Sequence, residues 1–120
     1  MVNSIYDEVG GFMAVRKLIS AFYDNVLDNE ELAVLFQNVN MERLIDHQTK
    51  FFAMLLGGPV SYTDEELKRV HARLGISNHQ FDLTKDCLIE AMEDFDFSED
   101  YADTIAEAFE EKRNLIVQSN

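Results

Sequence analysis

Between Phe36 and Leu74 the chain twice runs through an apolar helical period and twice interrupts it with a side chain that an oily interior should exclude. Over Asn40–Leu56 the apolar residues Met41, Leu44, Ile45, Phe52 and Leu55 share one face at i, i+3, i+4, i+11 and i+14, and the missing i+7 member is Gln48. His47 lies one turn beyond Leu44 and one turn before Phe51, so the pattern predicts a helix from which an amide and an imidazole both project near an apolar surface. Thr63 and Glu66 then form a capping box, and Leu67, Val70, His71 and Leu74 follow i, i+3, i+4 and i+7, with His71 facing inward. Histidines on the apolar faces of separate helices invite a ligand shared between them.

The rest of the chain predicts the same class of structure. Ser4 to Asp7 is a capping-box pattern opening a short helix that Gly10-Gly11 interrupts. Val15, Leu18, Ile19, Phe22 and Val26 mark the core face of the next helix, with Tyr23 and Leu27 at its edge. Leu32, Leu35 and Phe36 make a brief helical turn; Gly57-Gly58-Pro59 stops the helix that carries Gln48, and Val60-Ser61-Tyr62 reads as extended. Gly75 ends the His71 helix, with Ile76 where a Schellman motif places its apolar contact. Ser77 and Gln80 cap a helix with Phe81, Leu88, Ala91, Met92 and Phe95 on one face, and Ser98 opens a last helix with Ala102, Ile105, Ala106, Phe109 and Ile116 inward. No window alternates like a strand, so the expectation is one all-α domain over residues 1–120.

Charge and cysteine content narrow the function classes. With 23 acidic against 10 basic residues the formal charge is −13, which repels phosphate backbones and anionic lipid and argues against nucleic-acid or membrane work. No apolar run is long enough to cross a bilayer, and the acidic start resembles no signal peptide. A single cysteine, Cys87, excludes an internal disulfide and a cysteine-based zinc site; a reducing compartment, the cytoplasm, is expected. The acidic run near Asp94 is no calcium loop, since Glu99 stands where glycine belongs and Ile105 where glutamate belongs. Cys87 beside Asp86 reads as a structural thiol. His79, in the first turn of its helix and away from the Phe81 face, reads as solvent-facing.

A helical histidine is more often a hydrogen-bonded structural residue than a metal ligand, so His71 alone says little. Gln48 is harder to set aside, because a buried amide without a partner costs about 1–3 kcal/mol. Tyr23 can be that partner, either in a polar corner of the core or at a ligand. A haem suits the pattern better than a bare ion, because it is a flat apolar plate that needs rings on its faces, one neutral imidazole and cations near its propionates. Phe36, Leu44 and Phe51 with Val70, Leu74, Ile76 and Phe81 can supply the walls, and His71 the imidazole. Half of the ten basic residues, Arg43, Lys50, Lys68, Arg69 and Arg73, fall in this central third.

Ile5-Tyr6-Asp7 with Gly10-Gly11, Phe22-Tyr23, Phe36 before Asn40-Met41, the series Leu44, His47, Gln48, Phe51-Phe52, then Gly57-Gly58-Pro59 and Val70-His71 before Gly75-Ile76, occur in a telling order. In that order and spacing the chain resembles a truncated haemoglobin of group I, the N type, from about Ser4 to about Ile116. The resemblance implies a truncated globin, a two-over-two helical sandwich around a non-covalent haem b. It makes His71 the proximal iron ligand, Tyr23 and Gln48 the distal hydrogen-bonding pair, Phe36 the ring on the porphyrin and Phe51 a tunnel-lining residue. Leu44 fills the position of the distal histidine of larger globins. Arg43, Lys68 and Tyr62 join the haem-contacting set. His47 stands where some N-type members carry lysine and others, notably cyanobacterial ones, a histidine able to bind iron, so a six-coordinate site and an open one are both expected alternatives. Some such relatives attach haem through a histidine of the last helix; no histidine follows His79 here, which excludes that route.

The implied activity is binding of dioxygen, and of nitric oxide and carbon monoxide, at ferrous iron, as in oxygen binding or transport by a monomer. The alternative is an enzyme, a nitric oxide dioxygenase yielding nitrate. The same pocket would serve both, but turnover needs an external reductase, since the sequence has no flavin or nicotinamide domain. A helical interaction module without a cofactor is the third reading, and it predicts a colourless protein.

Overall fold

The glycines that punctuate the sequence decide how its helices meet. In the computed structural model, which describes residues 4–58, 63–72 and 75–117, positions 70 and 72 by backbone only, helix α1 spans Ile5–Val9. Ser4 Oγ accepts from the Asp7 N–H at 3.2 Å, while the Asp7 carboxylate takes the Ser4 hydroxyl at 3.2 Å. Gly10 and Gly11 follow at φ +113° and +81°, two positive-φ positions open to glycine that turn the chain into α2, Phe12–Asp28. The Tyr6 N–H reaches the carbonyl of Leu56 at 2.9 Å, which docks α1 on the end of α4, Met41–Leu55. Gly58 permits this approach: a Cβ there would lie 2.7 Å from the Tyr6 ring. The expected stretch Val60-Ser61-Tyr62, with Pro59 before it, lies outside the described residues.

Between α2 and α4 run α3, Glu30–Ala33, capped by Asn29, and a 3-10 turn, Val34–Phe36. After α4 come α5, Asp64–Ala72, and α6, Asn78–Asp94, the latter opened by the full Ser77–Gln80 capping box. Helices α7, Glu99–Glu110, and α8, Arg113–Ile116, complete the described fold. Helix α2 packs on α4 and on α6, α6 packs on α7, and α7 reaches back to α4, so one pair of helices lies over another as a two-over-two sandwich. No helix among the described residues is long and apolar enough to cross a membrane.

An aromatic column ties the two layers together. Phe52 of α4 stacks on Phe109 of α7 at 5.8 Å, Phe109 on Phe81 of α6 at 4.7 Å, and Phe22 of α2 meets Phe52 edge-on at 5.9 Å. Each aromatic pair contributes about 0.5–1.5 kcal/mol beyond simple burial. The α2 face is buried as its period predicts, and Leu27 at its edge faces solvent.

Two expectations change. Phe95, read as part of the α6 core face, is 40% exposed, because α6 ends at Asp94 and Phe95 caps it outside the helical register. The last helix is broken at Glu111-Lys112, which turns α8 away from the α7 axis and onto α5 while keeping Ile116 buried. Arg113 clasps this corner. Its guanidinium donates to Glu110 at 2.6 and 2.9 Å, to Asn78 Oδ1 at 3.1 Å and to Asp82, and it lies 4.4 Å over the Phe81 ring.

The Arg113 hydrogen bonds, with a smaller contribution from Lys85, hold the Glu110 carboxyl down at about 2 against an ordinary 4.5. A depressed carboxylate adds stability that is present above its unfolded range and is lost as pH falls through its folded value. Glu110→Gln should therefore remove a stabilising contribution at neutral pH and flatten the acid limb of unfolding between about pH 4.5 and 2. Circular dichroism during acid titration checks this, and coincident acid limbs for the two proteins would show that the clasp adds nothing to folding.

Candidate functional site

His71 owes its position to the first turn of α5. Glu66 N–H donates to Thr63 Oγ1 at 3.1 Å and the Thr63 N–H reaches the Glu66 carboxylate at 3.4 Å, which fixes where the helix begins. Leu67, one turn before His71, is buried at 3% exposure, and the imidazole follows it inward at 6%. His71 Nδ1 lies 2.8 Å from the Leu67 carbonyl. A carbonyl only accepts, so Nδ1 carries the proton and Nε2 presents its lone pair to the interior. Burial lowers the pKa of this imidazole below 6.5, the Leu67 bond opposes that, and the nearby His47 adds to the lowering, so the ring is neutral at physiological pH.

Helices α2 and α4 bring the facing groups. Gln48 is buried, and its Nε2 stands 3.4 Å from His71 Nε2. Tyr23, 6% exposed on α2, lies beside the Gln48 side chain in the same cavity. Burial raises the phenol pKa and the Gln48 side chain only partly offsets it, so Tyr23 keeps its proton and remains a donor. Phe36 meets the Tyr23 ring edge-on at 5.8 Å, and Phe51 lies 5.3 Å from Phe52 and 6.4 Å from the His71 ring. Tyr23, Phe36, Leu44, Gln48, Phe51, His71, Ile76 and Phe81 thus line one cavity of about 560 Å³, counting the part open to solvent.

Val26, Leu35, Thr84 and Ile116 also line it. The apolar period alone marks them as core or turn residues and not as site residues. Leu35 precedes Phe36, and Thr84 lies one turn after Phe81, so helical spacing held a signal for both. Thr49, fully buried with Oγ1 donating to the Ile45 carbonyl at 2.6 Å, is a core residue that the apolar pattern passed over. The Val70 side chain, Leu74 and Tyr62 lie outside the described residues.

His47 is exposed on α4 and lines a second cleft of about 430 Å³ with Gln48, Phe51, Glu66, Leu67, Arg69 and His71. Arg43 and Lys68 are exposed on α4 and α5. His79, as expected, is exposed, and it pairs with Glu31 at 2.8 Å. Cys87 is buried, and burial with Glu90 and Asp86 pushes its thiol pKa up.

Among the described residues no three His, Cys, Asp or Glu side chains gather around a point. An ion held at His71 must therefore bring most of its ligands with it, as a macrocycle does. The neutral imidazole, its Nε2 turned into the cavity and the aromatic walls fit such a group, with one adjustment. A metal–imidazole bond is about 2 Å long, so the Gln48 amide at 3.4 Å has to swing aside before Nε2 can take a metal.

Residues 4–118 match the family model for bacterial-like globins. A group 1 truncated haemoglobin of Mycolicibacterium paratuberculosis is 43% identical over 89 residues, 74% of this chain and 65% of that protein, a little under two thirds of its length. A group 1 truncated haemoglobin of Tetrahymena pyriformis is 28% identical over 92% of each chain. Its crystal structure in the Fe(III) form superposes with a TM-score of 0.86 at 27% identity, covering 96% of this chain and 98% of that one. The 2/2 haemoglobin of Synechococcus, in the cyanomet state with covalently attached haem, superposes at 0.89 with 25% identity and the same coverage.

Phe51 lines both cavities and is 3% exposed. Phe51→Ala should cost about 3–5 kcal/mol in chemical denaturation, as for a packed aromatic ring. A loss below about 1 kcal/mol would mean that the ring closes no wall.

Proposed function

Because the chain belongs to the bacterial-like globin family, as a truncated haemoglobin of group I, we propose that it binds haem through His71 and takes dioxygen and other diatomic ligands on the side served by Tyr23 and Gln48. The observation that carries this reading is the buried neutral imidazole whose Nδ1–H is committed to Leu67, leaving Nε2 directed into an aromatic cavity. Haem, when bound, supplies a ferrous iron able to accept a diatomic ligand.

The chain's own residues do the rest. Leu67 holds the tautomer and ring orientation of His71, the outer-partner role that raises a ligand's basicity and fixes its direction. Phe36, Leu44, Phe51, Ile76 and Phe81 exclude water from the plate, and Arg69 lining the second cleft, with Lys68 exposed beside it on α5 and Arg43 exposed on α4, can face its carboxylates. Gln48 swings off Nε2 to make room, and with Tyr23 it offers two neutral donors to a ligand that draws negative charge toward itself. Each bond to such a charged partner contributes about 1.5–3 kcal/mol, so the pair slows ligand release. His47, exposed at the cleft mouth, is the side chain whose rotamer separates a six-coordinate resting site from an open one. The haem in this reading is the non-covalent b type, held by a cytoplasmic monomer, and an external reductase keeps it ferrous.

His71→Gly should abolish the haem absorption band of the purified protein and recover it on addition of imidazole; a variant that takes up haem unaided with the same spectrum would overturn the assignment. Tyr23→Phe should speed dioxygen release about ten- to hundredfold, the factor equivalent to about 1.5–3 kcal/mol. Stopped-flow displacement measures it, and an unchanged rate removes Tyr23 from the ligand site.

A further inference from the structure

The clasp at Arg113 stands outside the cavity, yet it grips the elements that build the proximal side. Among the described residues α5, which carries His71, packs chiefly on the four-residue helix α8. Lys112, just before α8, pairs with Asp64 at the start of α5 at 3.9 Å. Ile116 of α8 lines the cavity, as do Phe81 of α6, which lies beneath the guanidinium, and Phe109 of α7, which stacks on Phe81. A helix of one turn has almost no stability of its own, so tertiary contacts determine where α8 lies.

Those contacts converge on one side chain. Arg113 forks onto both carboxylate oxygens of Glu110 at the end of α7, at 2.6 and 2.9 Å. Its other arm reaches Asn78 Oδ1 at 3.1 Å and the Asn78 carbonyl at 3.4 Å, with Asp82 bonded alongside at the start of α6. Lys85 of α6 holds the same Glu110 at 3.1 Å. Only a planar, multiply donating cation can make this set of bonds while lying flat on a ring. The network therefore fixes α8 against α6 and α7, and α8 in turn sets where α5 lies.

We propose that Arg113 is a positioning residue for the proximal histidine: through α8 it sets the distance and tilt of His71 relative to the Phe81 and Ile116 wall. The proposal rests on the reading of His71 as the haem ligand. It makes the strength of the metal–imidazole bond depend on a side chain in a different helix, beyond the cavity wall.

The test is resonance Raman spectroscopy of the ferrous, ligand-free holoprotein, which reads the iron–histidine stretching band, together with the rate of haem transfer to an acceptor globin. Arg113→Ala should shift and broaden that band and speed haem loss several-fold. Arg113→Lys should lie closer to the alanine variant than to the wild type, since an ammonium cannot reproduce the fork. Arg16→Ala, which removes a comparable cation paired with Asp46 at 2.7 Å, serves as control and should leave the band in place. A wild-type band in Arg113→Ala, with only a lower melting temperature, overturns the proposal and leaves the haem reading intact. If Arg113→Ala does not fold, Asp82→Asn, which trims one arm at a 61% exposed carboxylate, should give a smaller shift in the same direction; an unshifted band there also overturns it. A wild-type protein with bound haem but no iron–histidine band removes the His71 reading itself and the proposal with it.

Discussion

A buried imidazole has to dispose of one N–H and one lone pair, and in this chain the N–H goes to the carbonyl of Leu67. That one bond fixes the tautomer of His71, keeps it neutral in a site that would penalise its charged form, and turns Nε2 toward the cavity. Every other polar choice nearby follows from it. Gln48 meets the lone pair, Tyr23 meets Gln48, and among the described residues no buried side-chain nitrogen or oxygen lacks a partner. A polar chain of this kind persists in an apolar interior because each member satisfies the next, at a cost of about 1–3 kcal/mol for any link left open.

The chain runs across the joint between helices, which is why the scaffold matters. Tyr23 comes from α2, Gln48 from α4 and His71 from α5, and the aromatic column of Phe22, Phe52, Phe109 and Phe81 holds the two layers at the spacing that lets them meet. The Gly10-Gly11 turn and the bare flank of Gly58 allow connections short enough to bring α1 and α4 together. On the far side the break before α8 folds the end of the described chain onto α5, where a straight continuation of α7 would have left the histidine helix unsupported.

The strongly acidic surface plays no direct part in this interior, but its few cations are placed unevenly. Arg113 and Lys85 hold Glu110 at the corner where α6, α7 and α8 meet, whereas Arg43, Lys68 and Arg69 lie on the helices that carry Gln48 and His71. Part of the scarce positive charge thus sits where helices are joined, and the excess of carboxylates is left to solvent.

Local chemistry in the sequence already determined that the chain is helical, where α2, α4 and α5 turn their apolar faces, and that His71 and Gln48 point inward, because amphipathic period, caps and glycine turns act over a few residues. The Ser77–Gln80 box is made as its residue types require, and the α2 face is buried as its period requires. Only the tertiary structure decided that Gln48 contacts His71 across 23 positions, that Phe95 escapes the core, that α7 and α8 part company, and that Arg113 reaches Asn78 across 35. Those facts depend on how residues remote along the chain pack and which carboxylate or carbonyl arrives within reach of a donor. Spacing along one helix carries no record of that.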